Sequence, residues 1–490
     1  MLHFLSVPIR ASTHLSAMNS DRLRFRYRWT RVLVCGLGAL ALLWLLIPCR
    51  VAPLTFPSMP VDVVAQQLGH PMFFDIRIYE RNLPQHTPPS SLTKGTTRPR
   101  YLFFPSALWG SGWNNVLQEQ LLNTHLADLS KRAYVYPGYI PQDHPPFPDT
   151  LANGTRYLLH IPMNAFVSGP TGGGPLSSEG EDSITRRAVS EEWWHLVCPR
   201  SEVVVVNLHD TMRDLRLDGS SEGKEIIDRW ADKLLKISSP CVSIEGGSVF
   251  DYLFFGSSRV LSLWPSYADS PTLKYFAWSP QITAALFRNF HSFRPYRTSE
   301  RPIAGLLGIH VRRGDFEWHC VNLVNGDADY NAWNQLGTPG IASSAPADYV
   351  WPALPDYLNV PEGQSRKDAA FHHCWPSPEV IVARAHTVRE EAASGAWFTP
   401  QDLQKIYIST NGDRSWVNNL AALLKADGWD VSGSFDMKLT QEELAVAQAV
   451  DMSVLTSAES FIGVGFSSLS SNVVQIRLAG GRDPRTNHFW

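Results

Sequence analysis

Three signatures of common hydrolytic and nucleotide chemistry are missing from this 490-residue chain. It has no HExxH, no GxSxG and no P-loop, which removes zinc proteases, serine hydrolases and ordinary NTPases. A surplus of charge is missing too. The formal net charge of -3 provides no general basic field, so nucleic acid is not expected as a partner. Cysteine is scarce, six in all, and never spaced CxxC, which argues against zinc. No internal repeat or low-complexity tract appears, and of the dinucleotide-binding glycine fingerprint only the fragment Gly463-x-Gly465 is present.

Apolar residues make up 44% of the chain and charged ones 18%, with 17 Trp, as in a globular protein. The length allows two or three domains with sizeable cores. One long apolar run exists, the 18 uncharged residues Val32 to Cys49, at the short end of what spans a bilayer. Arg10, Arg22, Arg24, Arg26, Arg28 and Arg31 precede it, and only Arg50 follows closely. That asymmetry predicts a cytosolic tail over 1–31, an anchor over 32–49, and everything beyond Arg50 on the lumenal side. A cleaved signal peptide is the alternative, but the leader is long and lacks a clear small-x-small cleavage site. Beyond the anchor remain Cys198, Cys241, Cys320 and Cys374, an even number that suits an oxidising compartment and permits three pairings. Cys320 and Cys374 bracket a Trp-rich segment and are the pair expected to clamp its base. Asn153-Gly-Thr155 is a glycosylation sequon in keeping with lumenal exposure.

Residues 50–97 are rich in Pro, Thr and Ser and read as a stem of low regularity. Tyr101–Phe104 is strand-like, Gly110–Asn115 a glycine turn, Val116–Leu129 apolar at helical spacing, and Ala133–Tyr136 a further strand. Strand, turn, helix, strand implies a βαβ unit and a parallel sheet. Residues 143–185, with Thr171-Gly-Gly-Gly174, read as a surface loop, Val203–Val206 as a buried strand, and 224–236 and 283–290 as helices. Near 293–298 the pattern breaks, placing a domain boundary there. An Ile303 strand follows, then a Trp/Pro-rich insertion over 317–376 and a second alternation of helices and strands through 478. The expected architecture is two α/β domains, 98–298 and 299–490, facing across a cleft.

The Ile303 strand ends in Gly308-Ile-His310-Val-Arg312-Arg313-Gly-Asp315-Phe316. Ligands of α/β folds bind beyond the carboxyl ends of strands. Arginine there suits a phosphate, since its planar fork donates two parallel hydrogen bonds. Ser467 and Ser468 follow another strand and a glycine, opening a helix whose N-terminus they cap or where they hold a phosphate. Asp327-Ala-Asp329 looks like a metal-binding acidic pair but follows no apolar strand.

His310-Val-Arg312-Arg-Gly-Asp315-Phe316 resembles the His-x-Arg-x-x-Asp-Phe element of GDP-fucose protein O-fucosyltransferases. Phe461-Ile-Gly463-Val-Gly-Phe-Ser467-Ser468 is similar to a second element of that family, and Gly112-Trp113-Asn114-Asn115 to the turn opening its first domain. Together the three span residues 101–478, and the chain resembles a fungal-type member of the O-fucosyltransferase superfamily. The resemblance implies a GT-B fold of two Rossmann-like domains, the first on the acceptor side and the second binding the GDP-sugar. It implies transfer of fucose from GDP-fucose to a glycan or protein hydroxyl, without metal or cofactor. On it Arg312 binds the β-phosphate, His310, Asp315 and Phe316 order the site, and Ser467 and Ser468 contact the diphosphate. Asp451 reaches the guanine, and Asn114, within Gly112–Asn115, faces the sugar.

Two departures stand out. Some relatives carry a glutamate, as general base, where this chain has Ser111. The nearest carboxylate is Glu119, expected to be an exposed helix charge. Leu469 replaces a usual Phe. The expected protein is a type II single-pass enzyme of Golgi or endoplasmic reticulum. Alternatives are another GDP-sugar transferase, or an inactive lectin-like or scaffold protein on the same fold.

Overall fold

The computed structural model describes residues 72–87, 98–105, 111–141, 160–177, 184–294, 303–314, 316–338, 349–395 (except 357, 359 and 361) and 402–490. It also describes the short antiparallel pair Asp149–Thr150 and Arg156–Tyr157. The expected tail, anchor, sequon and the start of the stem lie outside them. Among the described residues no helix is long and apolar enough to cross a membrane.

Part of the expected stem is ordered. α1 (Phe74–Arg81) follows the fully buried Phe73, whose N–H donates to Glu442. Leu83 is buried behind it, and Gln85 Nε2 donates to the carbonyls of Gly173 and Ala188. Proline content hid an element whose stability comes from docking rather than propensity.

β1 (Tyr101–Phe103), α2 (Trp113–Leu129), β2 (Ala133–Tyr136), β3 (Val189–Ser190), β4 (Val204–Asn207), α3 (Gly223–Lys236) and β5 (Cys241–Glu245) build the first sheet. Its order is β3-β2-β1-β5-β4, every pair parallel. α3 buries one face through Ile226, Ile227, Trp230 and Leu234. α2 is buried all round, polar residues included, because it lies between this sheet and a helix of the second. A disulfide joins Cys198 to Cys241. Within the segment read as a surface loop, the described stretch 160–177 is largely interior: Met163, Ala165, Phe166, Val167 and Thr171 are buried. Its glycines pack where side chains cannot, and a Cβ on Gly172 or Gly174 would strike backbone carbonyl oxygens. β4 exposes Val204 and Val205 at the sheet edge, so the expectation of a buried strand holds only for Val206.

α4 (Pro280–Arg288) precedes the boundary drawn from sequence yet packs on the second half, where Arg288 pairs with Glu443. Next come β6 (Ile303–Val311), α5 (Phe316–Asn325), α6 (Arg366–Cys374), α7 (Pro378–Ala393), β7 (Lys405–Thr410), α8 (Arg414–Ala426) and β8 (Asp430–Gly433). α9 (Ala447–Ser457), β9 (Ala458–Gly463), α10 (Ser468–Ala479) and β10 (Asn487–Phe489) complete the chain. The second sheet is also fully parallel, in the order β8-β7-β6-β9-β10. Counted along this half, that order is 3-2-1-4-5, the doubly wound pattern, with its switch point between β6 and β9. The two halves therefore have the two-domain α/β architecture expected of the chain.

The insertion begins as helix rather than loop. α5 buries Phe316, Cys320 and Val324, and Cys320 is bonded to Cys374 of α6. Fully buried Arg477 ties down the far side of the sheet, donating to the carbonyls of Leu455, Ala458 and Glu459 and to Asn487.

Candidate active site

At the switch point two neighbouring strands end together: Ile309 of β6 lies beside Ile462 of β9. β6 leaves the sheet through Arg312, Arg313 and Gly314, and Gly314 takes a φ of 64°, which a side chain would oppose. β9 leaves through a turn closed by Ser467 N–H to the Val464 carbonyl (3.0 Å). α10 starts immediately after, with Ser467 Oγ accepting from Leu469 N–H (3.3 Å). The capping role expected for Ser467 is thus present. Gly465 and Phe466 form the middle of that turn, and their N–H groups have no hydrogen-bond partner among the described residues. Two N–H groups without partners beside a helix N-terminus are a combination suited to an anion. Ser468, half-buried, opens the helix at its edge.

The two arginines part company. Arg312 is half-buried with its guanidinium 5.4 Å from the Phe316 ring. Arg313 is buried between Trp375 (4.1 Å) and Trp416 (4.3 Å), donates to the Pro376 carbonyl, and is lowered to about 10 by desolvation. Alternation along the strand end sends the two side chains to opposite sides, Arg313 to the interior.

His310 is buried, and desolvation, then the Arg312 charge, lower it to about 3. It is therefore neutral. Its Nδ1 lies 2.9 Å from Ser470 Oγ, which accepts from Val464 N–H (3.0 Å). His310 thus holds the turn after β9 rather than reaching out for a ligand. Asp315 lies outside the described residues.

Asp451 on α9 accepts from the hydroxyls of Tyr407 (2.6 Å) in the middle of β7, Ser409 (2.9 Å) near its carboxyl end and Ser434 (2.7 Å) just after β8. Burial raises its pKa even so. A carboxylate offers about four acceptor sites, so roughly one remains after these three bonds.

The turn Gly112–Asn115 caps α2: the Gly112 carbonyl accepts from Asn115 N–H (2.9 Å). Trp113 stacks on Phe166 at 4.4 Å, and Asn115 is half-buried. Asn114 is buried and bridges the halves. Its side chain donates to Gln448 (3.1 Å), and Asn472 of α10 donates to its carbonyl (2.9 Å). The first turn of α2, which follows β1, therefore meets α10, which follows β9.

Glu119 departs from expectation. It is fully buried and acts on the neighbouring Tyr134, whose hydroxyl is raised by burial first and by Glu119 next. It faces β2 from a helix that is interior on every side. Asp327 and Asp329 are exposed and Asp329 pairs with Arg366 (2.9 Å); among the described residues no three His, Cys, Asp or Glu gather as metal ligands.

Several residues of the site carried no motif. Gln118 donates to Asn331 (2.8 Å) and Ser471 (3.0 Å), Gln475 to Asn472 (2.6 Å), and Asn334 to Gly465 (2.8 Å). Asn114 and Gln118, and Ser471 and Gln475, recur four apart on helices that also carry core residues. Polar pairs at that spacing on one helix face were the available signal.

No protein-family model and no curated protein matches the sequence. Solved structures do overlap it. A crystal structure of POFUT1 in complex with GDP-fucose is 14% identical with a TM-score of 0.49, covering 80% of this chain and 97% of its own. One of POFUT1 with GDP is 13% identical at 0.48, covering 81% and 99%. A mutant of Arabidopsis thaliana FUT1 with GDP is 10% identical at 0.35, covering 82% and 73%. Overlaps of this depth carry no residue-by-residue correspondence.

Proposed function

We propose that the protein is an inverting, metal-independent glycosyltransferase that moves fucose from GDP-fucose to a hydroxyl, most simply Ser or Thr of a secretory-pathway protein. One observation carries the reading. Arg312 and the N–H groups of Gly465 and Phe466, which have no hydrogen-bond partner among the described residues, follow adjacent strands at the switch point, and Asn472 of the helix that opens there donates to the Asn114 carbonyl. A diphosphate across that point would have a fixed cation on one side and a helix N-terminus on the other.

In this reading the acceptor oxygen attacks the sugar carbon opposite the leaving GDP, and the carbon–oxygen bond to the β-phosphate breaks. Negative charge grows on that phosphate. A preplaced guanidinium at Arg312 then stabilises the transition state more than the ground state. His310 acts through Ser470, holding the turn. Asp451, with its remaining acceptor site, takes a guanine N–H, and Asn114 faces the sugar. The acceptor's proton leaves to a base other than Glu119, which lies in the interior.

The compartment follows from the same reading. Both disulfides suit an oxidising lumen, and the arginine asymmetry around 32–49 suits an uncleaved type II anchor in Golgi or endoplasmic reticulum membrane. The test is a thermal-shift screen of the detergent-solubilised full chain against GDP, UDP and their sugars. Stabilisation by GDP and GDP-fucose but not by UDP species is expected. Equal stabilisation by both bases, or by neither, would discard the reading.

A further inference from the structure

The segment between the two bridged cysteines does more than decorate the second half. Its short 3-10 turn Ala332–Gln335, with the residues just before it, meets three elements at once. Asn331 N–H and Asn334 Nδ2 both donate to the Gly465 carbonyl, each at 2.8 Å, and Asn334 also reaches the Ser467 carbonyl (3.3 Å). Trp333 N–H donates to Ser471 Oγ on α10 (3.1 Å). From the other half, Gln118 of α2 donates to Asn331 Oδ1 and to that same Ser471 Oγ. Asn334 is fully buried, and Ala332 holds a φ of 38°, costly for a residue with a Cβ.

The direction of these bonds matters. A turn can present N–H groups to an anion only if its carbonyls point elsewhere, because carbonyl oxygens repel phosphate. Asn331 and Asn334 hold the Gly465 carbonyl, which across the planar trans peptide turns the Phe466 N–H the opposite way; the Val464 carbonyl, accepting from Ser467 N–H, does the same for the Gly465 N–H. Gln118 fastens Asn331 and Ser471 to α2, and so to the half that carries Asn114.

We propose that Asn334 is a positioning residue for the anion-binding turn, and that the Asn331–Gln118 bridge ties that turn to the docking of the two halves. The inference rests on the reading of this turn as a diphosphate site. It implies a division of labour: Asn334 governs donor affinity, and Gln118–Asn331 governs transfer from donor already bound.

The experiment uses the full chain with Asn334→Ser, which is smaller and fits the space, and Asn331→Ala, which keeps the backbone bond to Gly465. GDP titration and initial-rate kinetics are combined with amide hydrogen exchange over 464–469. For Asn334→Ser we expect GDP affinity and donor KM to worsen about tenfold, acceptor KM to hold, and exchange across the turn to quicken. For Asn331→Ala we expect GDP affinity within about twofold of wild type and kcat lowered about tenfold. Unchanged GDP affinity and exchange in Asn334→Ser would overturn the role of Asn334. Equal loss of GDP affinity in both variants would overturn the division of labour. Wild type that binds no GDP would instead sink the transferase reading, and the exchange comparison would still decide whether Asn334 holds the turn.

Discussion

The ring of Tyr330 occupies the space that a Cβ on Gly465 would take. Three ring carbons lie there, and the ring is itself held by Phe466 (5.1 Å between centroids) and Phe489 (5.3 Å). The insertion thus dictates a glycine in the turn after β9 for reasons of packing alone. Gly465→Ala is expected to destabilise the protein by about 1–3 kcal/mol, as overpacking does. It should also weaken GDP binding. In a Tyr330→Leu background the added methyl should cost less, so the two substitutions would be non-additive. Denaturant titration of the four proteins of the cycle is the check, and additive costs would mean that Tyr330 is not the obstacle.

Arg312 and Arg313 should fail in different ways. Arg312→Ala and Arg312→Lys are expected to lower turnover by about 10²–10³, since lysine keeps the charge but loses the fork. Arg313→Ala removes a cation held between two indoles and should cost about 2 kcal/mol or more in stability. Its turnover per folded molecule should fall far less than that of Arg312→Ala. Turnover normalised to the folded fraction separates the two, and a loss in Arg313→Ala matching Arg312→Ala would refute the assignment.

The two disulfides close 43- and 54-residue separations, each able to contribute about 4 kcal/mol in the chain-entropy account. Their functional weight should differ. Cys320–Cys374 holds the insertion that backs the turn after β9, whereas Cys198–Cys241 pins the first sheet. The Cys320→Ser/Cys374→Ser pair is expected to lose GDP affinity, and the Cys198→Ser/Cys241→Ser pair to lose stability without that loss. Calorimetric titration with GDP decides between them, and equal affinity in both pairs would count against a bracing role for the insertion.

Acid should destabilise the fold through its buried histidines. His310 is lowered to about 3 and His125 to about 4, mainly by burial. Both are neutral when folded, while the unfolded chain begins to take up their protons below about 6.5. Their contribution is complete above that pH and declines as pH falls toward the folded values, by at most about 1.4 kcal/mol per pH unit for each group. Glu80, raised by burial to about 7, works in the opposite sense, its contribution being lost as pH rises through that value. The difference between His125→Phe and wild type isolates one group. The variant's stability should vary less steeply between about pH 6.5 and 4, and parallel pH profiles would show that His125 does not set the slope.

Local pattern made much of this molecule legible. The Ile303 strand, the helical spacing of 116–129 and the alternation after Lys405 follow from periods of two and 3.6 residues that any window of sequence displays. The polar cluster at the end of β6 was visible because an apolar run stopped at His310 and Arg312. Edge and short strands such as β8 and β10 stayed hidden, since three or four residues hold too few repeats of either period.

Tertiary structure decided the rest. Glu119 reads as a surface charge on a helix, yet α2 lies between a sheet and α10, which buries it. Asn331 and Asn334 are ordinary polar residues in a Trp-rich segment until the chain returns, some 130 residues later, to set Gly465 beside them. Pairing of carbonyl with amide at that separation leaves no trace in local composition, because its strength comes from the exclusion of water around a buried donor. The sequence by itself determined two parallel-sheet halves and the strand end from which Arg312 would emerge. Which N–H groups stay unpaired on the neighbouring strand end, and what holds that turn, depended on contacts that only the folded chain brings together.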